Sequence, residues 1–329
     1  MNIDERDNYL EILKNNKGFD EPEKWIDYAA SNRFKKVIAK KIYRCPDCGN
    51  NETQILGQYI YYSNLLQARK CKACGLVFAD ARINSKTIAD HFEASYKEED
   101  YFIISRDKIF THITRVISPY IKENGKILDI GGAKGHLARK LKTLRGDIDV
   151  TVNDISKEAC RYINSQYGYS TICCPISDLQ KQTDIQYDGL LVIDVLYYEE
   201  NISAAFRTII DLVKKNGVIV LRVPNKLWLI NVVANIKKVL MNKERQQMLD
   251  RMSFVNPEHI YIFSRKYIEK KFKKIGANKI TFQPSKTLMT TNKYKNVIAN
   301  VFYSVSIIIY WLTFKKLVIT SAQIIVVQK

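Results

Sequence analysis

The segment Lys126–Gly135, Lys-Ile-Leu-Asp-Ile-Gly-Gly-Ala-Lys-Gly, constrains the fold more than any other. An apolar run of strand length breaks into a glycine-rich turn, and a helical pattern follows from His136 to Thr143. The same alternation continues downstream. Strands are expected at Lys126–Ile130, Val150–Asn153, Ser170–Cys174, Gly189–Val195 and Gly217–Val223, with helices near His136–Thr143, Lys157–Gln166 and Ser203–Lys215. Near-continuous apolar strands alternating with helices predict an α/β fold, its parallel sheet covered on both faces. Such sheets bind ligands outside the carboxyl ends of their strands.

Glycines after the first strand let the backbone approach a ligand closely, and the next helix points its amino terminus there. A phosphate loop of the form G-x-x-x-x-G-K-[ST] is absent. A dinucleotide fingerprint opening at Gly131 needs glycines at 133 and 136, where Ala133 and His136 stand. What remains, Asp129-x-Gly131-x-Ala133-x-Gly135, resembles the D-x-G-x-G-x-G first motif of class I S-adenosylmethionine-dependent methyltransferases, with the middle glycine replaced by alanine. The second strand runs to Asp154, 19 residues past Gly135. An acid there can accept both ribose hydroxyls of a nucleoside. The resemblance implies S-adenosylmethionine as cofactor. It places Asp129, Gly131, Gly132, Ala133 and Gly135 in the cofactor turn, Asp154 on the ribose and Asp178 on the adenine amino group.

The resemblance covers most of the chain. Tyr187-Asp-Gly-Leu-Leu-Val-Ile-Asp-Val-Leu matches the family's fourth-strand segment, and Leu212-Val-Lys-Lys-Asn-Gly-Val-Ile-Val-Leu-Arg-Val-Pro-Asn its fifth. Glu258-His-Ile-Tyr-Ile-Phe-Ser looks like a segment of bacterial small-molecule and sugar methyltransferases. Cys74-Gly-Leu-Val-Phe is similar to ribbon-bearing members, some of which act in polysaccharide or deoxysugar biosynthesis. Two departures stand out. Leu196-Tyr197-Tyr198 replaces a frequent Leu-Glu-His, and the long extra C-terminal domain of the deoxysugar C-methyltransferases is missing. The fold implied is a Rossmann-like seven-stranded methyltransferase sheet, with Lys279–Gln283 as sixth strand and Ala322–Gln328 as final antiparallel strand. A hydroxyl acceptor needs a base during attack. His259 is the first candidate, and Asp194, Glu199 and Glu200 after the fourth strand are others. Tyr197 and Tyr198 are candidates for the acceptor pocket.

Four of the seven cysteines form two knuckles, Cys45-Pro-Asp-Cys48-Gly and Cys71-Lys-Ala-Cys74-Gly. Two such turns supply the sulfurs of a tetrahedral zinc site, and a full set of four leaves no open position for water. The zinc expected is therefore structural. Strands at Gln54–Tyr62 and Ala68–Arg69 complete a zinc ribbon. Cys160, Cys173 and Cys174 stand apart, the last two expected in the core. The acidic start, Met1-Asn-Ile-Asp-Glu-Arg-Asp, has no apolar run of a signal peptide, which fits a reducing cytoplasm. The organisation expected is a helical segment over 1–44, a zinc ribbon over 45–80 and a helical connector over 81–124. The methyltransferase domain then fills 125–329, with inserts at 225–256 and 285–317.

Charge is distributed unevenly. Residues 1–213 carry 30 basic and 30 acidic side chains, whereas 214–329 carry 22 basic against 4 acidic, so the whole +18 lies there. This asymmetry points to an anionic partner or surface. The same half holds an apolar stripe in Leu227–Leu240 and an uncharged stretch, Asn296–Phe314, between lysine pairs. That stretch approaches the length of a membrane span. Closure of the sheet by Ala322–Gln328 argues instead for a helix in the interface, at the inner face of an anionic membrane, or for a helix capping the sheet. The acceptor expected is a small molecule or glycan, lipid- or nucleotide-linked forms included. Two other classes stay open. A zinc ribbon also precedes certain rRNA guanine methyltransferases, and +18 suits a phosphate backbone, but no N-P-P-Y-like motif follows the fourth strand. Ala133 leaves room for a non-catalytic S-adenosylmethionine-binding scaffold.

Overall fold

The computed structural model describes residues 40–61, 64–82, 85–96, 101–225, 259–274, 276–290 and 292–329. The helical pattern over residues 4–39, the stripe Leu227–Leu240 and nearly all of the insert 225–256 lie outside the described residues. Two compact units are present, residues 1–91 with 226–264 and residues 92–225 with 265–329.

The first unit is built on a four-stranded antiparallel sheet. β2 (Thr53–Tyr61) and β3 (Asn64–Cys71) form a hairpin running from Thr53↔Cys71 to Tyr61↔Asn64, with an irregularity between Ile55 and Gly57. β4 (Val77–Ala79) pairs with β3, and Tyr261–Ile262 (β11) adds to β4. The helical segment expected over 1–44 is not helical near its end: Lys40–Lys41 form β1, paired with Ala81–Arg82 (β5). Asp80 explains that pairing. Its buried carboxylate accepts from Lys41 Nζ at 3.1 Å and from the Gln67 amide at 2.7 Å, so the chain is held extended where the acid needs a partner.

α1 (Ser85–Ser95) leads into the second unit, followed by α2 (Tyr101–Ile117). Then come β6 (Lys126–Ile130), α3 (His136–Leu144), β7 (Asp149–Asp154), α4 (Lys157–Tyr167), β8 (Ser170–Cys173), β9 (Tyr187–Ile193), α5 (Ile202–Leu212) and β10 (Val213–Pro224). After β11 follow α6 (Arg265–Lys273), β12 (Lys279–Pro284), α7 (Lys293–Leu312) and β13 (Ala322–Gln328). The sheet order is β12-β13-β10-β9-β6-β7-β8, and β13 alone runs against the others. This is the expected Rossmann-like seven-stranded sheet. Its order reverses between β6 and β9, which opens a crevice beside the carboxyl end of β6.

Both faces are covered. On one, Ile109, Ile113 and Ile117 of α2 and Leu137, Ala138 and Leu141 of α3 join Ile127, Val150, Val152, Leu191 and Val220 in a single buried cluster. The stretch expected as a connector thus contributes α2 to the core of this unit. The alternate strand residues Leu128, Leu190, Val192, Ile219 and Leu221 are equally buried. Phe206 of α5 packs edge-on against Tyr267 and Phe272 of α6.

Two expectations need correction. The helix expected through Lys215 ends at Leu212, because Val213 is buried and pairs with Tyr187 before the register resumes at Val218↔Gly189. Cys173 is exposed and Cys174 only half-buried, because β8 is an edge strand; of the three isolated cysteines Cys160 alone is buried.

Candidate functional site

The turn after β6 carries the expected site residues together. Asp129, one residue from the end of β6, is buried, and its Oδ2 has no hydrogen-bond partner among the described residues. Gly131, at φ +69°, lies so close to Val195 that a Cβ would approach it to 2.6 Å, and at Gly132 a Cβ would meet Val152 at 2.4 Å. The turn closes with the Gly132 amide donating to Asn153 O and the Gly135 amide to Gly132 O, both at 2.9 Å. Gly135 then caps α3. Ala133 occupies the left-handed region at φ +51°. Its amide donates to Asp154 Oδ2 at 2.9 Å, and the Ser156 amide donates to Oδ1 of the same carboxylate at 2.9 Å. The Ile155 amide is a third backbone donor to the same carboxylate.

The two acids are electrostatically tense. Burial, and then the charge of Asp154, push Asp129 up to about 7. Burial likewise pushes Asp154 up to about 6 against the pull of the Ser156 and Ala133 amides, with Glu93 adding repulsion. Two buried carboxylates at the mouth of a crevice favour a cationic ligand.

The end of α1 closes over this ridge, which the sequence reading missed. Glu93 Oε2 accepts from Ser156 Oγ at 2.6 Å and from the Glu158 amide at 3.1 Å, locking the β7–α4 turn. Phe92 stacks on Tyr96 and meets Tyr198 edge-on, and Tyr197 and Tyr198 touch at a centroid distance of 4.6 Å. Burial and the charge of Asp154 hold the Tyr96 hydroxyl well above its ordinary value. The sequence signal was present: aromatic and acidic residues at positions 92, 93 and 96 share one helical face.

Asp194, expected as a candidate base, has another occupation. Arg222 from β10 and Arg106 from α2 both donate to its Oδ2, the latter at 2.7 Å, and the Asp194 and Arg222 side chains are buried. Arg222 Nε also donates to Ser285 Oγ at 2.8 Å. Both guanidinium groups engage this carboxylate as ion pairs, an arrangement that suits an anchoring role. An arginine inside an otherwise apolar strand was the clue to it. Glu199 is different. It is half-buried, and burial holds its carboxyl up to about 7, against a backbone hydrogen bond from Ile176 and with Glu200 and Asp178 adding repulsion. Asp178 lies in the 3-10 turn Ile176–Lys181 after β8, half-buried and paired with Lys181 at 2.6 Å. His259 belongs to the other unit. It stands two residues before β11, so the pairing that orders its segment is with the cysteine-bearing sheet.

In that unit the four expected cysteines converge. Their sulfurs all lie within 4.8 Å of one another, with Cys45···Cys74 and Cys48···Cys71 at 3.6 Å. A disulfide would bring sulfurs to about 2 Å, whereas a tetrahedral zinc with bonds of about 2.3 Å separates them by about 3.8 Å. The observed spacing is that of a metal cage. Gly49 and Gly75 follow each knuckle at φ +73° and +80°, and their amides return to Cys45 O and Cys71 O. The set could hold one zinc ion.

No curated protein matches the chain. Among solved structures it is similar to a SAM-dependent methyltransferase from Archaeoglobus fulgidus, 15% identical over 70% of this chain and 100% of that one, with a TM-score of 0.44. The plantazolicin methyltransferase BpumL is 13% identical over 74% and 89% of the two chains, TM-score 0.41. The N-methyltransferase NodS from Bradyrhizobium japonicum WM9 is 20% identical over 41% and 71%, TM-score 0.36. The family model for a methyltransferase domain matches residues 102–281. That stretch holds the glycine turn, both buried acids and more than half of the chain, which therefore belongs to the class I S-adenosylmethionine-dependent methyltransferase family.

Proposed function

We propose that this protein transfers the methyl group of S-adenosylmethionine to a small-molecule or glycan acceptor, lipid- or nucleotide-linked sugars included, in the synthesis of cell-surface polysaccharide or a secondary metabolite. The observation that carries the reading is the pair of buried acids, Asp129 and Asp154, around the glycine turn. S-adenosylmethionine is a cationic nucleoside, and it fits this donor set. With about four acceptor sites and three backbone donors, the Asp154 carboxylate keeps capacity for a ribose hydroxyl, and Oδ2 of Asp129 has no partner among the described residues. When bound, the cofactor supplies a methyl group already activated by its sulfonium.

What the chain's own residues must do is align the acceptor and limit water. Phe92, Tyr96, Tyr197 and Tyr198 form the aromatic wall for that purpose. For a hydroxyl acceptor, Glu199 is the base we assign, because a carboxyl poised near 7 exchanges protons at working pH. In the other unit, the four cysteines hold a structural zinc.

Calorimetry with S-adenosylmethionine tests the cofactor reading, and the expected result is one site per chain, weakened in Asp154→Asn. Mass spectrometry of surface glycans and small metabolites, with and without the gene, tests the acceptor. A methyl group missing from either pool supports the proposal. One missing from rRNA overturns the acceptor class, and absence of cofactor binding overturns the methyl-transfer reading.

A further inference from the structure

We infer that α7 docks the protein on an anionic membrane surface, lying in the plane of the interface rather than crossing it. The helix carries Tyr294, Val297, Val301, Val305, Ile308 and Leu312 along one exposed stripe at helical spacing, and Ile298, Phe302 and Trp311 widen it. The exposure is large: 82% for Tyr294, 69% for Ile298, 74% for Leu312 and 86% for Phe314 just beyond the helix. The opposite face is seated on the domain, where Ser306 and Tyr310 are buried and Tyr303 meets His112 edge-on. Lys286 Nζ lies 3.7 Å from the Tyr303 ring centroid. This helix does not cap the sheet with its apolar side; it turns that side outward. So contiguous an apolar surface marks an interaction site.

Charge selects the occupant. From Lys270 to Lys329 the chain has eleven lysines and no aspartate or glutamate. Lys293 and Lys295 stand at one end of the stripe and Lys315 and Lys316 at the other, with Lys315 Nζ 4.4 Å from the centre of the Trp311 ring. An apolar strip bounded by lysines and aromatic rings is the composition of a helix lying among anionic headgroups. Phe314 and Lys315 adopt left-handed backbone, φ +52° and +64°, a strained turn that presents Phe314 to the outside.

Crossing is ruled out by the connections. β12 and β13, which flank α7, are hydrogen-bonded neighbours from Lys279↔Gln328 to Pro284↔Gln323, so both ends of the helix return to one sheet edge. The return segment is tied down as well. Lys316 O accepts from Arg265 at 2.7 Å, and Asn225 Nδ2 donates to Val318 O and Thr320 O. The inference goes beyond the methyl-transfer reading and does not rest on it.

The test is vesicle flotation of the full chain with phosphatidylcholine alone and with part of it replaced by phosphatidylglycerol. Binding at least about tenfold stronger to the anionic vesicles is expected. The double variant Ile298→Glu/Ile308→Glu should lose binding to both, while Lys315→Glu/Lys316→Glu should lose only the anionic preference. Calorimetry with S-adenosylmethionine on the same variants, unchanged if they fold, separates failure of docking from failure of the cofactor site. Equal binding to neutral and anionic vesicles overturns the inference. So does self-association through this face that Ile298→Glu/Ile308→Glu abolishes, in a protein that floats with no vesicle.

Discussion

Ala133 gives its amide to Asp154 Oδ2 at 2.9 Å from a left-handed backbone, φ +51°. An alanine there costs roughly 1 kcal/mol relative to glycine, yet the hydrogen bond holds the carboxylate in place. Ala133→Gly should therefore raise stability by up to about 1 kcal/mol in denaturant unfolding, with cofactor affinity preserved because the donor is backbone. Asp154→Asn keeps a side-chain acceptor but loses the charge, and affinity for S-adenosylmethionine should fall by at least about tenfold. Unchanged affinity in Asp154→Asn would remove this acid from the cofactor site.

The two acids also set a pH dependence. Asp129 and Asp154 stand at about 7 and about 6 in the fold, against about 4 in an unfolded chain. Between those values the folded protein holds more protons than the unfolded one. Stability of the ligand-free protein should therefore fall as pH rises from about 4 to about 7. A positively charged ligand favours the ionised acids, so cofactor affinity should rise over the upper part of that window, with release of protons on binding. Thermal melts across pH and calorimetry in two buffers of different ionisation enthalpy measure both effects. Asp129→Asn should flatten the higher part of the profile.

At the four cysteines the expectation is one zinc per chain. Native mass spectrometry reads the stoichiometry, and a chelator should remove the ion together with hydrogen-exchange protection in β2, β3 and β4, since a structural zinc contributes its binding energy to folding. Cys71→Ser should reproduce the loss, because Cys71 is buried and contributes a sulfur 3.6 Å from Cys48. Protection that survives in metal-free protein would show that the hairpin stands without the ion.

Legibility in the sequence followed the range of the interaction. β6 and β13 stand at the residues their apolar runs predict, Lys126–Ile130 and Ala322–Gln328, because strands covered on both faces are apolar at nearly every position. The cysteine cage was readable from spacing, since each knuckle is local. Cys173 was misread because an edge position is a property of the sheet order, which no local run encodes. The pairing of Tyr261–Ile262 with β4 joins residues far apart in sequence through two positions only, too few for a pattern. The ion-pair partners of Asp194 stayed hidden for the same reason. They are 28 and 88 residues away, and a single arginine in an apolar strand tells of a buried acid without saying which.

That arginine carries the last prediction. Asp194 sits at the end of β9 with φ +57°, accepting from Arg222 and Arg106, all in a region where the Asp194 and Arg222 side chains are almost wholly removed from water. Removing the acid leaves two guanidinium groups facing each other, and breaking a buried pair from one side costs about 3–5 kcal/mol. Asp194→Asn should therefore destabilise by about that amount, and Arg222→Met similarly, since it leaves the buried carboxylate with Arg106 alone and takes the Nε donor from Ser285 Oγ. Arg106→Met should cost less, because the Arg106 side chain is one-fifth exposed and Arg222 still neutralises the acid. In a cycle of Asp194→Asn with Arg222→Met, the double variant should lose less than the sum of the singles, the signature of a direct pair. Simple additivity would mean that Asp194 is anchored by something other than Arg222, and would return it to the candidates for proton transfer.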